Sequence, residues 1–209
     1  MPRFIPSGAR CGNSSDKTRR ILLECLLSTI LIPIMESEFT IREAILEDAW
    51  AIANVNYLTW LHAYRGLIPD SELDSLNLEA LTDQWKQNLT VVSSLGITFV
   101  AMDSGSIVAY SRFYPSVDPD DDQIIVATIG SLYVNPEFER KGIGRKLMAT
   151  ILEAVKRHDF KEATLHVLVN NQRARRFYEH LGWEEDPEAV IGESDSGRVS
   201  KVRYRKHPL

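Results

Sequence analysis

The segment Asn135–Met148 reads NPEFERKGIGRKLM. It follows an apolar, β-branched run that predicts a strand, and it leads into a helix predicted from Gly142 to about His158. Two glycines, Gly142 and Gly144, stand where the strand passes into the helix. Glycine lets an anion approach the backbone, and a helix N-terminus supplies free N–H groups with a partial positive charge. The segment therefore predicts a phosphate-binding loop.

Basic side chains surround the two glycines, and their charge suits a diphosphate; they are Arg140, Lys141, Arg145 and Lys146. Two common phosphate motifs are excluded by single residues. The dinucleotide motif G-x-G-x-x-G requires a third glycine where Leu147 stands, and the P-loop requires a lysine after its last glycine, whereas Lys141 precedes Gly142. An ordinary helix cap with basic residues around it is the alternative interpretation of this segment alone.

A second segment, Leu165–Trp183, reads LHVLVNNQRARRFYEHLGW. Asn171 is suited to cap a helix that follows it, and Gly182 is suited to end that helix. Apolar and aromatic side chains recur at helical spacing between these two residues. Taken alone, Phe177 and Tyr178 are more typical of a core than of a catalytic site.

Outward from these segments, short β-forming runs and amphipathic runs alternate. Strands are predicted at 39–42, 97–102, 107–114, 124–134, 164–169 and 199–205, and helices at 48–64, 78–92, 142–158 and 172–181. Antiparallel strands come first, and strand–helix–strand–helix follows. This order predicts an α/β (α+β) fold with a mixed, mostly antiparallel sheet and helices on both faces.

The composition, 44% hydrophobic and 25% charged over 209 residues, is that of one globular domain with a short appendage. A net charge of −5 without a basic stripe argues against a nucleic-acid partner. The two cysteines, Cys11 and Cys25, both precede Met35. The chain from Met35 onward therefore has neither a disulfide framework nor a cysteine nucleophile.

Residues 1–34 differ from the rest, so we predict an N-terminal extension at 1–34 and a domain at 35–209. Basic residues precede the apolar run Ile21–Ile34, which Glu24 interrupts. The run is shorter than the roughly 20 residues that span a bilayer. A targeting segment, a loosely packed helix and translation that starts at Met35 all stay open. We expect a cytoplasmic protein with no membrane partner.

Together the two segments resemble the GCN5-related N-acetyltransferase (GNAT) superfamily. Its members have a strand, the motif [QR]-x-x-G-x-[GA], a helix, a further strand and then N-x-x-A-x-x-F-Y-x-x-x-G-[FW]. The matching residues here are Gly142, Ile143, Gly144, Asn171, Ala174, Phe177, Tyr178, Gly182 and Trp183. The resemblance covers roughly residues 39–205. One position departs from it, because Glu139 stands where the family has Gln or Arg, and a carboxylate repels a diphosphate at close range.

The resemblance implies an N-acetyltransferase that takes acetyl-CoA as co-substrate, uses no metal and has a splayed central strand pair. It implies a pyrophosphate on the glycine loop, a pantetheine arm along the preceding strand, and Tyr178 as the general acid. The residues that it assigns to coenzyme A are Leu132, Tyr133, Val134, Arg140, Lys141, Gly142, Ile143, Gly144, Arg145, Asn171, Ala174 and Tyr178. Dimers are common in the family, so it also suggests a homodimer.

The acceptor is less well defined. Trp60 and Tyr64 share a helix face and resemble part of a subgroup that includes PaiA-type polyamine acetyltransferases, so a small primary amine is expected. Both residues are equally compatible with a core. Acetylation of protein N-termini or lysines, and a non-catalytic acyl-CoA-binding module, stay open. The general base is unassigned: the acidic loop 118–122 either is solvated or helps to deprotonate the amine, and His166 is more typical of a structural residue.

Overall fold

The computed structural model describes residues 39–90, 96–187 and 200–209. Seven strands lie in these residues: β1 (Thr40–Glu43), β2 (Ile97–Asp103), β3 (Ser106–Pro115), β4 (Val126–Val134), β5 (Glu162–Leu168), β6 (Glu184–Glu185) and β7 (Lys201–Lys206). They form one sheet in the order β1-β2-β3-β4-β5-β7-β6. Only β4 and β5 pair in parallel, so the predicted mixed, mostly antiparallel sheet is confirmed. The predicted extension, residues 1–34, lies outside the described residues.

Five helices lie in the same part of the chain: α1 (Ala49–Ala63), α2 (Asp70–Asp74), α3 (Leu78–Thr90), α4 (Ile143–Arg157) and α5 (Gln172–His180). Helices α4 and α5 pack on one face of the sheet, and α1 and α3 pack on the other. Helices on both faces were predicted. The five-residue helix α2 and the two-residue strand β6 were not, because elements this short carry no periodic pattern.

Helix α4 shows why the sequence folds in this way. Its buried positions are spaced three or four residues apart, with two adjacent pairs, and form one stripe: Ile143, Leu147, Met148, Ile151, Ala154 and Val155. This stripe packs on the inward-facing side chains of the central strands, among them Phe113, Ile129 and Leu165. Burial of such side chains contributes about 1.5–3 kcal/mol each, so the glycine loop stands at the end of a firmly anchored helix.

Strands β4 and β5 pair over only three residues each, from Val126–Glu162 to Thr128–Thr164, and then part. A bulge begins the separation, because Arg112 of β3 pairs with Ser131 while Phe113 pairs with Ile129. Gly130 is the extra residue of this bulge. A Cβ at Gly130 would lie 2.4 Å from the ring of Tyr114, so any other residue there would have to displace that ring. These two strands are the splayed pair that the family resemblance implies.

The β3–β4 loop packs on β7 through buried ion pairs. The guanidinium of Arg203 is 1% exposed and lies 2.8 and 2.5 Å from the Asp120 carboxylate, 2.8 Å from Asp186 and 3.3 Å from Asp118. The neighbouring Arg205 forms a second set of ion pairs, with Asp121, Glu162 and Asp186. The interpretation that this acidic loop is solvated is therefore right for Pro119, Asp120 and Asp122, which are exposed, and wrong for Asp118 and Asp121, whose side chains are 13% and 1% exposed and pair with the arginines of β7.

We expect Arg203→Met to destabilise the protein by roughly 3–5 kcal/mol, because it leaves several partly buried carboxylates without their cation. The measurement is the free energy of unfolding in urea, followed by circular dichroism. Arg65→Met is the matched control, since Arg65 pairs with Asp70 and Asp74 at the exposed surface, where ion pairs contribute little. Equal losses in the two variants would contradict this account.

The same cluster predicts a dependence on pH. Hydrogen bonding to Arg203 lowers the pKa of Asp120 from 3.8 to about 2. A lowered pKa in the folded state stabilises the protein above the ordinary value, and this stabilisation is lost as the pH falls through the lowered one. The wild-type free energy of unfolding should therefore fall between about pH 4 and pH 2. In Arg203→Met the slope over this window should be shallower, and an unchanged slope would contradict the assignment.

Candidate active site

A cavity of about 930 Å³ opens where β4 and β5 part. Nearly all of the residues that the sequence predicts for the site line it: Trp60, Tyr64, Leu132, Tyr133, Val134, Arg140, Gly142, Ile143, Gly144, Arg145, Asn171, Ala174 and Tyr178. Lys141 does not line it, and its ammonium lies 4.5 Å from the ring centroid of Phe138 instead. Two segments 29 residues apart in the chain, at Gly142 and Asn171, thus meet at one cavity.

The glycine loop presents a run of free backbone donors. Gly142 has a φ of +83° and Arg140 a φ of +60°, so the chain turns sharply before α4 begins. Among the described residues, none of the six N–H groups from Arg140 to Arg145 has a hydrogen-bond acceptor. Six adjacent free donors at the N-terminus of a 15-residue helix form a cradle for an anion.

Side-chain charge at this loop comes from Arg140, Arg145 and Arg173, all of which line the cavity. Glu139, the residue that departs from the family motif, forms an ion pair with Arg173 in the first turn of α5. The carboxylate therefore does not face the loop as an uncompensated charge. Its ion pair instead links the glycine loop to the helix on the opposite wall of the cavity.

Asn171 caps α5 as predicted, since its side-chain oxygen accepts a hydrogen bond of 3.0 Å from the N–H of Ala174. The cap places the first turn of α5 beside the glycine loop. Phe177, one turn further along α5, lies against Gly144, where a Cβ would be 3.5 Å from its ring. A Cβ at Gly144 would thus make an ordinary van der Waals contact with Phe177, whereas the left-handed backbone of Gly142 favours glycine.

Tyr178 lies on the cavity wall with its ring packed edge-on against Phe177 and Trp183, at 5.3 and 6.3 Å between ring centroids. Its hydroxyl has no hydrogen-bond partner among the residues that the structure describes. Burial raises the pKa of this hydroxyl, and the nearby Tyr133 raises it further. Tyr178 therefore holds its proton at neutral pH and has a donor available for a ligand.

Trp60 and Tyr64 line the cavity on the side of α1. Their rings meet edge-on at 5.2 Å, and the Tyr64 hydroxyl lies 3.2 Å from that of Tyr133. The indole Nε1 of Trp60 is buried without an acceptor in the described part of the chain. A second cavity of about 480 Å³ shares Trp60 and Tyr133 with the first, together with Tyr114 and Gly130. The space on this side of the sheet thus extends from the gap toward α3.

Sequence reasoning missed several residues that line the cavity on the same side: Glu72, Tyr114, His166 and Lys201. His166 was expected to be structural. It lies on the cavity wall, with Nε2 3.2 Å from the Asp118 carboxylate. The alternation of side chains along β5 could have indicated its face, but no local pattern indicates that Asp118 lies beside it.

Within residues 39–90, 96–187 and 200–209, no three His, Cys, Asp or Glu side chains are grouped so that they could hold a metal ion. None of the helices in these residues has the length and apolar character needed to cross a membrane.

Comparisons with known proteins agree on the family. Residues 56–183 match the model of the "Acetyltransferase (GNAT) family". The chain is 33% identical over 168 residues to the uncharacterized N-acetyltransferase YuaI of Bacillus subtilis, which covers 80% of this chain and 89% of that protein.

Two solved structures share the fold. PaiA N-acetyltransferase from Thermoplasma acidophilum, in complex with coenzyme A, is 19% identical with a TM-score of 0.62, over 81% of this chain and 99% of that one. YncA from Salmonella typhimurium, an acetyltransferase described as putative and solved with acetyl-CoA, is 19% identical with a TM-score of 0.60, over 82% and 94%. At this level of identity, these two structures establish the fold.

The ion pair between Glu139 and Arg173 predicts a coupled effect on acetyl-CoA binding. Arg173→Ala removes a cation and exposes the Glu139 carboxylate to the diphosphate, so affinity should fall about 10-fold, or about 1.4 kcal/mol. Glu139→Gln in the same background should restore most of the loss. Calorimetric titration measures the Kd of each variant. Arg176→Ala, on the same helix but outside the cavity lining, should keep the wild-type Kd. Additive effects of the two substitutions would contradict the coupling.

Proposed function

The chain belongs to the GNAT family of acetyltransferases, and we propose that it transfers the acetyl group of acetyl-CoA to a small primary amine bound in the same cavity. One observation carries the proposal. A single cavity connects the glycine loop, where Arg140 and residues 142–145 line it, with the aromatic wall of Trp60 and Tyr64, through the gap between β4 and β5. Two ligands can therefore meet there from opposite faces of the sheet.

The residues of the glycine loop fit the coenzyme. A pyrophosphate needs several donors that converge on one point, and residues 140–145 offer them with Arg140, Arg145 and Arg173 nearby. In the part of the chain that the structure describes, no strand lies beside β4 on the β5 side beyond Thr128. The backbone of Leu132, Tyr133 and Val134 can then pair with the amide-bearing pantetheine arm as a further strand would.

Direct attack of the amine is the chemistry that these residues favour. Residues 39–209 contain no cysteine, so a route through an acyl-cysteine is unavailable in them. The cavity aligns the amine with the thioester, which lowers the entropic cost of their encounter. A backbone N–H near Val134 then stabilises the negative charge that develops on the carbonyl oxygen.

Tyr178 is the proposed proton donor to the leaving sulfur. Burial keeps its hydroxyl protonated, and the hydroxyl has no competing acceptor among the described residues. Because the pKa of the phenol is raised well above the roughly 8.5 of an ordinary thiol, complete transfer to the thiolate is uphill. The hydroxyl therefore stabilises the sulfur first as a hydrogen-bond donor, and transfer is completed as solvent returns a proton to the tyrosine.

The acceptor is proposed to be a small amine, with polyamines among the candidates. The carbon chain of the amine would lie along Trp60 and Tyr64, whose ring faces can also attract a cation. The Glu72 carboxylate lies on the same wall and adds attraction for an ammonium group, whereas Lys201 limits how much positive charge the site accepts. A cytoplasmic location and a homodimer stay predictions.

We expect acetyl-CoA to bind with a micromolar Kd in calorimetric titration. An amine panel, followed by release of free coenzyme A, should then show turnover with at least one small primary amine. Peptides with free N-termini or lysines are the comparison arm. Turnover confined to those peptides would replace the proposal by protein acetylation, and binding without any turnover would replace it by an acyl-CoA-binding module.

Tyr178→Phe should lower kcat by about 100-fold or more, because it removes the proposed proton donor and keeps the ring that packs on Phe177 and Trp183. The Kd for acetyl-CoA should change by less than about 3-fold, since the hydroxyl acts on the reacting sulfur. Tyr57→Phe is the matched control, because Tyr57 lies on α1 outside the cavity lining. Full turnover in Tyr178→Phe would remove Tyr178 from the mechanism.

A further inference from the structure

We propose that His166, positioned by Asp118, accepts the proton that the amine loses as it attacks the thioester. This inference rests on the proposed acetylation of an amine and names a catalytic residue for it. The proton acceptor is then a residue of strand β5 on the side of the sheet where the amine would bind. The acidic loop 118–122 supports this residue.

The position of His166 follows from the sheet. Thr128 of β4 and Thr164 of β5 form the last pair before the strands part, and their hydroxyls are 3.1 Å from each other. His166 stands two residues beyond Thr164, so its side chain points to the same face. Continued across the gap, the same register places His166 opposite Gly130, the bulge residue of β4, and both line the cavity. His166 thus borders the opening through which an amine would reach the thioester.

Asp118 selects which ring nitrogen is basic. Its Oδ2 atom lies 3.2 Å from Nε2 of His166, and a carboxylate at that distance favours the tautomer with the proton on Nε2. Nδ1 then carries the free lone pair, and it has no partner in the described part of the chain. The carboxylate is itself held 3.3 Å from the Arg203 guanidinium, which is 1% exposed. The imidazole therefore rests on a rigid, buried support.

The charged groups around His166 come from each element packed against it. Asp118 and Asp121 belong to the β3–β4 loop, and Lys201 and Arg203 belong to β7. Burial of the imidazole lowers the pKa of His166, Lys201 and Arg203 lower it further, and the two carboxylates oppose them. The imidazole is therefore neutral at neutral pH, which is the form that a proton acceptor needs.

The other titratable groups that line the cavity on the side where the amine would bind are less suitable as proton acceptors. Burial raises the pKa of Tyr114, so its phenol keeps its proton at neutral pH and does not accept another. Glu72 is the competing candidate because it also lines the cavity. A carboxylate is ordinarily a weaker base than an imidazole by about two pKa units. Glu72 has no fixed partner among the described residues, whereas His166 is oriented by Asp118.

The protons balance in this scheme. The neutral amine nitrogen forms a bond to the thioester carbon, the carbon–sulfur bond breaks, and the nitrogen passes one proton to Nδ1 of His166. Tyr178 supplies one proton to the sulfur. The imidazolium then returns its proton through solvent to Tyr178, so acetyl-CoA and amine give the acetamide and free coenzyme A with no net change in the enzyme.

His166→Gln tests the inference, because the glutamine amide can keep the contact with Asp118 but cannot act as a base. We expect kcat to fall by about 100-fold or more, with the Kd for acetyl-CoA unchanged within about 3-fold. The wild-type kcat should decline at acid pH with a midpoint below the ordinary pKa of histidine, and this decline should vanish in the variant. His180→Gln, an exposed histidine at the end of α5, should keep the wild-type profile.

Asp118→Asn separates positioning from catalysis. Loss of the carboxylate should move the acid decline of kcat to lower pH, because Asp118 raises the pKa of His166. If the role of Asp118 is purely structural, the midpoint of the decline stays in place.

Full kcat in His166→Gln overturns the inference, and so does a Glu72→Gln variant in which the acid decline of kcat is lost instead. If His166→Gln does not fold, an NMR titration of His166 in the wild type must match the kinetic midpoint, and a mismatch overturns it. Failure of every amine to react overturns the proposed function itself.

Discussion

The parting of β4 and β5 after three paired residues is the constraint on which the site depends. A continuous sheet would separate the space beside α4 and α5 from the space beside α1 and α3. The bulge at Gly130 turns β4 away from β5, and a Cβ at this position would collide with the present position of the Tyr114 ring. The gap that results connects the glycine loop on one face with the aromatic wall of Trp60 and Tyr64 on the other, which is the arrangement that the proposed transfer from a coenzyme to an amine requires.

A gap of this kind needs support on both sides, and the two sides obtain it differently. On the β3 side, the apolar stripe of α4 packs on the central strands. On the β7 side, Arg203 and Arg205 bind the carboxylates of the β3–β4 loop in a partly buried network. Such a network is costly to desolvate, and loss of one partner would leave the others as uncompensated, partly buried charges. It also fixes Asp118, and through Asp118 it orients His166.

Sequence patterns predicted the parts of the site that follow from local rules. The glycine loop, the Asn171 cap and the stripe of α4 each depend on residues a few positions apart, so they can be recognised without coordinates. The ion pairs could not be predicted in this way. Arg203 and Asp120 are 83 residues apart, and Glu139 and Arg173 are 34 apart, so no periodicity links them. His166 was assigned to structure because its partner is reached only through the fold.

The short pairing of β4 with β5 also has a mechanical consequence. Strands β1 to β4 and strands β5 to β7 form two parts of the sheet, which three residue pairs between β4 and β5 join in the described chain. We therefore expect the sheet to flex most easily at the boundary between β4 and β5. A coenzyme arm that pairs with β4 beyond Thr128 would add backbone hydrogen bonds where β4 and β5 no longer pair. The ligand would then act as an eighth strand beside the seven described, and its binding would stabilise the folded domain.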